Sequence, residues 1–184
     1  MARISLDPPR TTMVKLAEWY SRRRFGDVLE PAQAMAHNRK VLRTCVREEM
    51  SAERWSAVPS QIKTLAVMSA AATVGCEWCM DFGYWHAMDD GIDSAKIQDM
   101  PRWRESSAYT ELERAAIEYA AAMSTTPIEV TDDQVSALRE HLDEAQLVEL
   151  TMMIAIENQR ARFNSALGLA SQGFAERCEL RPTR

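Results

Sequence analysis

Apolar residues recur along this chain at helical intervals, and they almost never alternate as a half-buried strand would require. Met13, Leu16, Ala17 and Tyr20 line one side of a first predicted helix, about Thr11 to Phe25, bracketed by Pro8-Pro9 and Gly26. A second is predicted from Pro31, whose missing N–H does no harm in a first turn, through Met35, Val41, Leu42 and Cys45 towards Met50. "PSQIKTLAVMSAAATVG" opens a third at Pro59 that is apolar nearly all round, the mark of a helix buried from several sides. Gly75 is its natural stop. A fourth should begin within "CEWC" and run to about Asp90, ahead of Gly91.

A short helix over Ser94–Gln98 leads to the polar connection "DMPRWRES". Thr110, followed three residues later by Glu113, is a capping box and starts a helix that runs to Ser124, where Thr125-Thr126-Pro127 ends it. Thr131 starts another. The last long helix, Glu144 to about Leu167, is anchored by Leu147, Leu150, Ile154 and Phe163. From Ser171 the tail is polar and is expected to fray, Phe174 being the residue able to dock. The pattern predicts an all-α protein, with an N-terminal helical extension over 1–57, a main domain over 58–170 and a tail over 171–184.

A chain of 184 residues with 46% apolar and 27% charged residues can bury a sizeable core as one domain. The net charge of −5 and a pI near 5.3 recommend it neither to nucleic acid nor to an anionic membrane. Arg22-Arg23-Arg24 sits among Glu18, Asp27 and Glu30 and reads as a solvated helix end. The N-terminus shows no apolar run of the signal-peptide kind, and no stretch reaches the roughly 20 apolar residues of a membrane span. A cytoplasmic location is therefore expected, where thiols are kept reduced and a Cys-x-x-Cys pair is redox-active or metal-binding more often than structural.

That pair lies in "TVGCEWCMDFGYWHAMDDG". If Gly75 ends one helix and Cys79 lies in the first turn of the next, free N–H groups and the positive dipole end face the sulfur and favour the thiolate. Cys76, one turn earlier, could then close a disulfide on Cys79. Three readings stay open on the residues alone. Cys79 and Cys76 could do redox chemistry; Cys76, Cys79 and His86 could bind zinc, with Cys45 or Cys178 as a fourth ligand; or both cysteines could be small buried hydrophobes. A c-type haem site is excluded, because Met80 stands where its histidine must be.

The Ala-rich helix, "GCEWCMDFG", "ELERAAIEYAAAM" and "ENQRARFNSALGL", spread over about Pro59 to Gly168, resemble the carboxymuconolactone decarboxylase-like superfamily and its AhpD-like alkylhydroperoxidase branch. The resemblance implies packed helical hairpins and a homo-oligomer (dimer, trimer or hexamer). It also implies a peroxidatic Cys79, a resolving Cys76, and an external dithiol reductant such as a lipoyl-bearing protein. No cofactor or metal is implied. Two positions depart from that branch: its relay glutamate falls on Thr64, and its relay histidine on Gly83.

His86 is the candidate substitute, with its Cα about 10 Å along the helix from that of Cys79 and Gly83 leaving space between them. Glu157 or Asn158, directly after an apolar run, could also face the cysteines. Asp81 and Glu77 should point to other sides of the helix. Trp78, Phe82, Tyr84 and Trp85 would line a pocket or pack at a subunit interface. The alternative function is a non-redox member of the same fold, acting on a small carbonyl or lactone substrate or serving as an oligomeric binding protein.

Overall fold

The computed structural model describes residues 2–178. Among them every regular element is helical: α1 (Thr12–Phe25), α2 (Glu30–Ala36), α3 (Arg39–Ala52), α4 (Ser60–Val74), α5 (Glu77–Asp89), α6 (Ser94–Asp99), α7 (Glu111–Ser124), α8 (Asp132–Arg139) and α9 (Glu144–Leu167). Two short 3-10 turns, Met100–Arg102 and Ala175–Cys178, complete them. The chain divides into two compact units. One runs up to Arg54 and takes in Leu167–Leu169; the other runs from Trp55 to Ala166 and resumes at Ala170.

The first unit holds α1–α3 around a small core of Val14, Ala36 and Leu42. Two expectations are corrected there. The helix predicted from Pro31 to Met50 is broken, because the Asn38 side chain accepts the N–H groups of Lys40 and Val41 at 3.1 and 3.4 Å and caps a new helix. In α1, Leu16 and Tyr20 are exposed, and Val14, Glu18 and Ser21 face inward instead. The polar pair is buried without penalty because it is bonded: Glu18 takes the Arg10 guanidinium at 2.9 Å, and Ser21 bonds Asp27 O and Leu29 N.

The second unit is built on α4, which packs chiefly against α7 and α5. Its two faces serve two clusters. Ile62, Ala66 and Ala70 meet Ala116, Tyr119 and Ala120 of α7, together with Leu138, Leu150 and Ile154. Leu65 and Met68 meet Ala87, Ile97, Met100 and Ile117. This is why α4 had to be apolar on every side. Ala66 and Ala70 of α4 and Ala116 and Ala120 of α7, all without exposure, let those two backbones approach closely.

Helix starts follow the local signals. Thr110–Glu113 and Thr131–Gln134 both form reciprocal capping boxes. The tail differs from expectation. Phe174, the residue expected to dock, is fully buried, and the backbone N–H groups of Gln172, Phe174 and Ala175 are hydrogen-bonded rather than frayed; the tail beyond 178 lies outside the described residues.

Candidate active site

The site begins where α4 stops. Gly75 adopts φ 78°, a left-handed geometry that only glycine enters without steric cost. Its N–H donates to Ala72 O at 3.2 Å and that of Cys76 to Ala71 O at 3.0 Å, which satisfies the last carbonyls of α4. The very next residue starts α5. Cys76 is its N-cap, and the Cys76 Sγ accepts the N–H of Cys79 at 3.2 Å.

The two sulfurs are joined as a disulfide, with Cα atoms 5.2 Å apart. Both cysteines are buried, Cys76 at 1% exposure and Cys79, slightly less completely, at 8%. One expectation changes here. The amide donor of the nascent helix is directed to the sulfur of Cys76, whereas Cys79 Sγ faces the side chain of Asn164 on α9. Asn164 is 2% exposed, and its Nδ2 stands 3.4 Å from Cys79 Sγ and 3.9 Å from Cys76 Sγ. Its Oδ1 has no hydrogen-bond partner among the described residues.

The other sequence candidates do not join this group. His86 Nδ1 pairs with Asp90 Oδ2 at 3.3 Å, at the far end of α5, because a carboxylate four residues on is nearer than a sulfur seven residues back. Thr64 donates to that same Asp90 oxygen at 3.2 Å, so the position of the family's relay glutamate also serves the far end. Gly83 is tight on the side that faces α4. A Cβ there would come within 3.3 Å of Met68 Cγ. Asn158 turns to α7, donating to Ser124 Oγ at 2.8 Å and to Ile154 O at 3.0 Å, and Glu157 is buried with Arg160 at 3.3 Å.

The zinc arrangement does not assemble. Cys76 and Cys79 bond each other, His86 is elsewhere, and no group of three His, Cys, Asp or Glu among the described residues could hold a metal ion. Cys45 is a free, half-buried thiol of α3; burial, then the Glu48 and Glu49 carboxylates, push it above the ordinary thiol range. The side chain of Cys178 lies outside the described part of the chain.

The aromatic residues of α5 make ring contacts within the chain. Trp78, Phe82 and Trp85 surround Phe174 with ring centroids 5.4–6.3 Å from it, and Tyr84 joins the core beside α6. Asp81, buried on the same helix, accepts the backbone N–H groups of Gln172, Phe174 and Ala175 at 2.8, 3.1 and 2.7 Å. Trp78 Nε1 adds a bond to Gln172 Oε1 at 2.7 Å. Sequence spacing alone assigns Asp81 no such part and does not single out Asn164. The signal for Asn164 was its place on the stripe Glu157, Ala161, Asn164, which helical spacing puts on one face with a buried alanine between.

The described residues are all helical in their regular elements, and the Cys-x-x-Cys pair is closed across a helix start. The fold is AhpD-like, since a solved structure with the alkylhydroperoxidase AhpD core, from Ralstonia eutropha JMP134, superposes with a TM-score of 0.81 at 14% identity over 99% of this chain and 98% of its own. The model of the carboxymuconolactone decarboxylase family matches residues 40–122, and the chain belongs to that family. The uncharacterized protein YnjA of Escherichia coli (strain K12) is 32% identical over 157 residues, 85% of this chain and 86% of YnjA. A protein of unknown function from Agrobacterium tumefaciens, proposed to be the antioxidant defence protein AhpD, superposes with a TM-score of 0.61 at 25% identity over 72% of this chain and 93% of its own. A cysteine-to-alanine variant of the debrominase Bmp8, in complex with 2,3,4-tribromopyrrole, superposes with a TM-score of 0.84 at 18% identity, covering 97% of each chain. At that identity the likeness is one of fold. No described helix is long and apolar enough to cross a membrane.

Proposed function

We propose that this protein is a dithiol oxidoreductase that reduces organic hydroperoxides. In the reduced form the Cys79 thiolate attacks the terminal peroxide oxygen. The O–O bond breaks, the alkoxide takes a proton and leaves as the alcohol, and Cys79 carries a sulfenic acid. The Cys76 thiol then attacks that sulfur, the disulfide forms, and water leaves. An external dithiol returns two electrons and two protons, itself becoming a disulfide. A compartment that supplies such dithiols, the cytoplasm, is the proposed location.

The observation that carries this reading is the joined pair itself, with Cys79 the less deeply buried residue and its partner already within bonding reach. Membership of a family whose AhpD-like branch is tied to antioxidant defence supports it. The test is consumption of cumene hydroperoxide by the reduced full chain, followed by peptide mass spectrometry. One equivalent should be consumed with loss of two hydrogens from the Cys76–Cys79 peptide. Cys79→Ser should abolish consumption, and Cys76→Ser should trap the sulfenic acid. An undiminished rate in Cys79→Ser would dispose of the proposal and leave the non-redox alternative, activity on a carbonyl or lactone substrate. A debrominase on the same fold makes a brominated pyrrole the sensible second substrate in that assay.

A further inference from the structure

Asn164 sits in the interior of a helix, where asparagine is a poor former because its amide competes for backbone groups. It is almost wholly buried, where an unmatched amide is costly. Yet the partners its side chain has among the described residues are two sulfur atoms, weak acceptors when joined as a disulfide, and its Oδ1 has none. A side chain so placed fits the oxidised pair poorly. It fits a different state of the same pair well.

Reduction creates one strong acceptor and one donor in this pocket. With an external dithiol as reductant, the disulfide becomes the Cys79 thiolate and the Cys76 thiol, the external dithiol becomes a disulfide, and one proton is released. Asn164 offers a donor at Nδ2, already 3.4 Å from Cys79 Sγ, and an unused acceptor at Oδ1. We propose that Asn164 is a further catalytic residue, holding Cys79 as the thiolate through Nδ2–H while Oδ1 accepts the Cys76 S–H. This rests on the oxidoreductase reading of the pair. It supplies locally what the absent relay residues at 64 and 83 do not.

On α5, Glu77 bears a carboxylate that would oppose a thiolate, and the Asp81 carboxylate is engaged with the tail amides. On α9, Glu157 and Arg160 pair with each other. On α4, Ser69 is bonded to Ile117 O, Thr73 to Ser69 O, and Lys63 is paired with Glu149.

The experiment is alkylation of the reduced full chain by iodoacetamide across pH 5 to 10, with Cys79 modification quantified by peptide mass spectrometry. Replacing Asn164 by Leu keeps bulk and removes both polar groups. In Asn164→Leu the apparent Cys79 pKa should rise by about one unit, close to a tenfold loss of alkylation rate at neutral pH. Asn164→Asp should raise it further, because a carboxylate then faces the thiolate. Asn164→Ser retains one hydroxyl donor and should fall between; it also decides the question if the leucine variant does not fold.

Profiles that superimpose on wild type in a folded variant would overturn the assignment. The readout needs no peroxide. A chain that consumes no hydroperoxide but shows the shift keeps Asn164 and loses the peroxidase reading, whereas active protein with unshifted variants loses Asn164 alone.

Discussion

Asp81 Oδ2 accepts the backbone N–H of Phe174 at 3.1 Å, which ties the helix that carries the cysteines to a segment more than ninety residues later in the chain. Two further amides, of Gln172 and Ala175, fill the same carboxylate. Asp81→Ala should therefore release the segment at 172–175 and expose the rings around Phe174. Tryptic cleavage after Arg177 should accelerate, and stability should fall by about 1–3 kcal/mol. Asp81→Asn, which keeps one acceptor oxygen, should lie between. Limited proteolysis and a urea melt check both.

Restoring the family's relay histidine should fail. A Cβ at Gly83 already crowds Met68, which is 1% exposed and has little room to yield. Gly83→His should cost about 1–3 kcal/mol from overpacking, seen as a lower denaturation midpoint. Adding Met68→Ala should recover part of that loss. A histidine tolerated at 83 without loss would contradict the packing described for α4 and α5.

Acid should unfold the second unit through two carboxylates. Burial raises the pKa of Glu113, but hydrogen bonds from Lys96, the Thr110 N–H and Gln61 outweigh it, so the net direction is downward. Glu149 is lowered in the same way by Lys63 and the N–H groups of Ala57 and Val58. A folded pKa below the unfolded value gives stability that is present above the ordinary 4.5 and drains as pH falls through the lower folded value. Tm should be level from neutral pH to about 5 and drop below 4.5. Glu113→Gln should flatten that drop. Lys96→Met, which strands a buried carboxylate, should cost about 3–5 kcal/mol at neutral pH.

Cys45 should be the sluggish thiol. Burial and its two acidic neighbours hold it above the ordinary value of 9.0, so the thiolate fraction at neutral pH is smaller than in a free peptide. Iodoacetamide should modify it more slowly than a cysteine peptide at pH 7, and its rate should still be climbing above pH 9. Fast labelling at neutral pH would contradict this.

The helical plan was legible because its signals are local. A Thr with Glu or Gln three residues on, a Gly after an apolar run, and α4's apolar circumference each act within a turn or two. The cysteine pair was legible for the same reason. Asn164 and Asp81 were not, since their partners lie 85 to 94 residues away and no spacing rule reaches that far. His86 misled in the opposite way: shared helical face put it in line with Cys79, while Asp90 one turn on held the ring. Leu16 and Tyr20 misled because hydrophobicity alone ranked them above Glu18 and Ser21, whose bonds permit burial.

The helix α5 is started by a sulfur atom, so the reagent and the scaffold share an atom at Cys76. Serine is a better helix starter than cysteine, its oxygen being the stronger acceptor for the same amide. Cys76→Ser should thus be at least as well folded as the parent, and any loss of turnover in it can be charged to missing chemistry rather than to a collapsed helix.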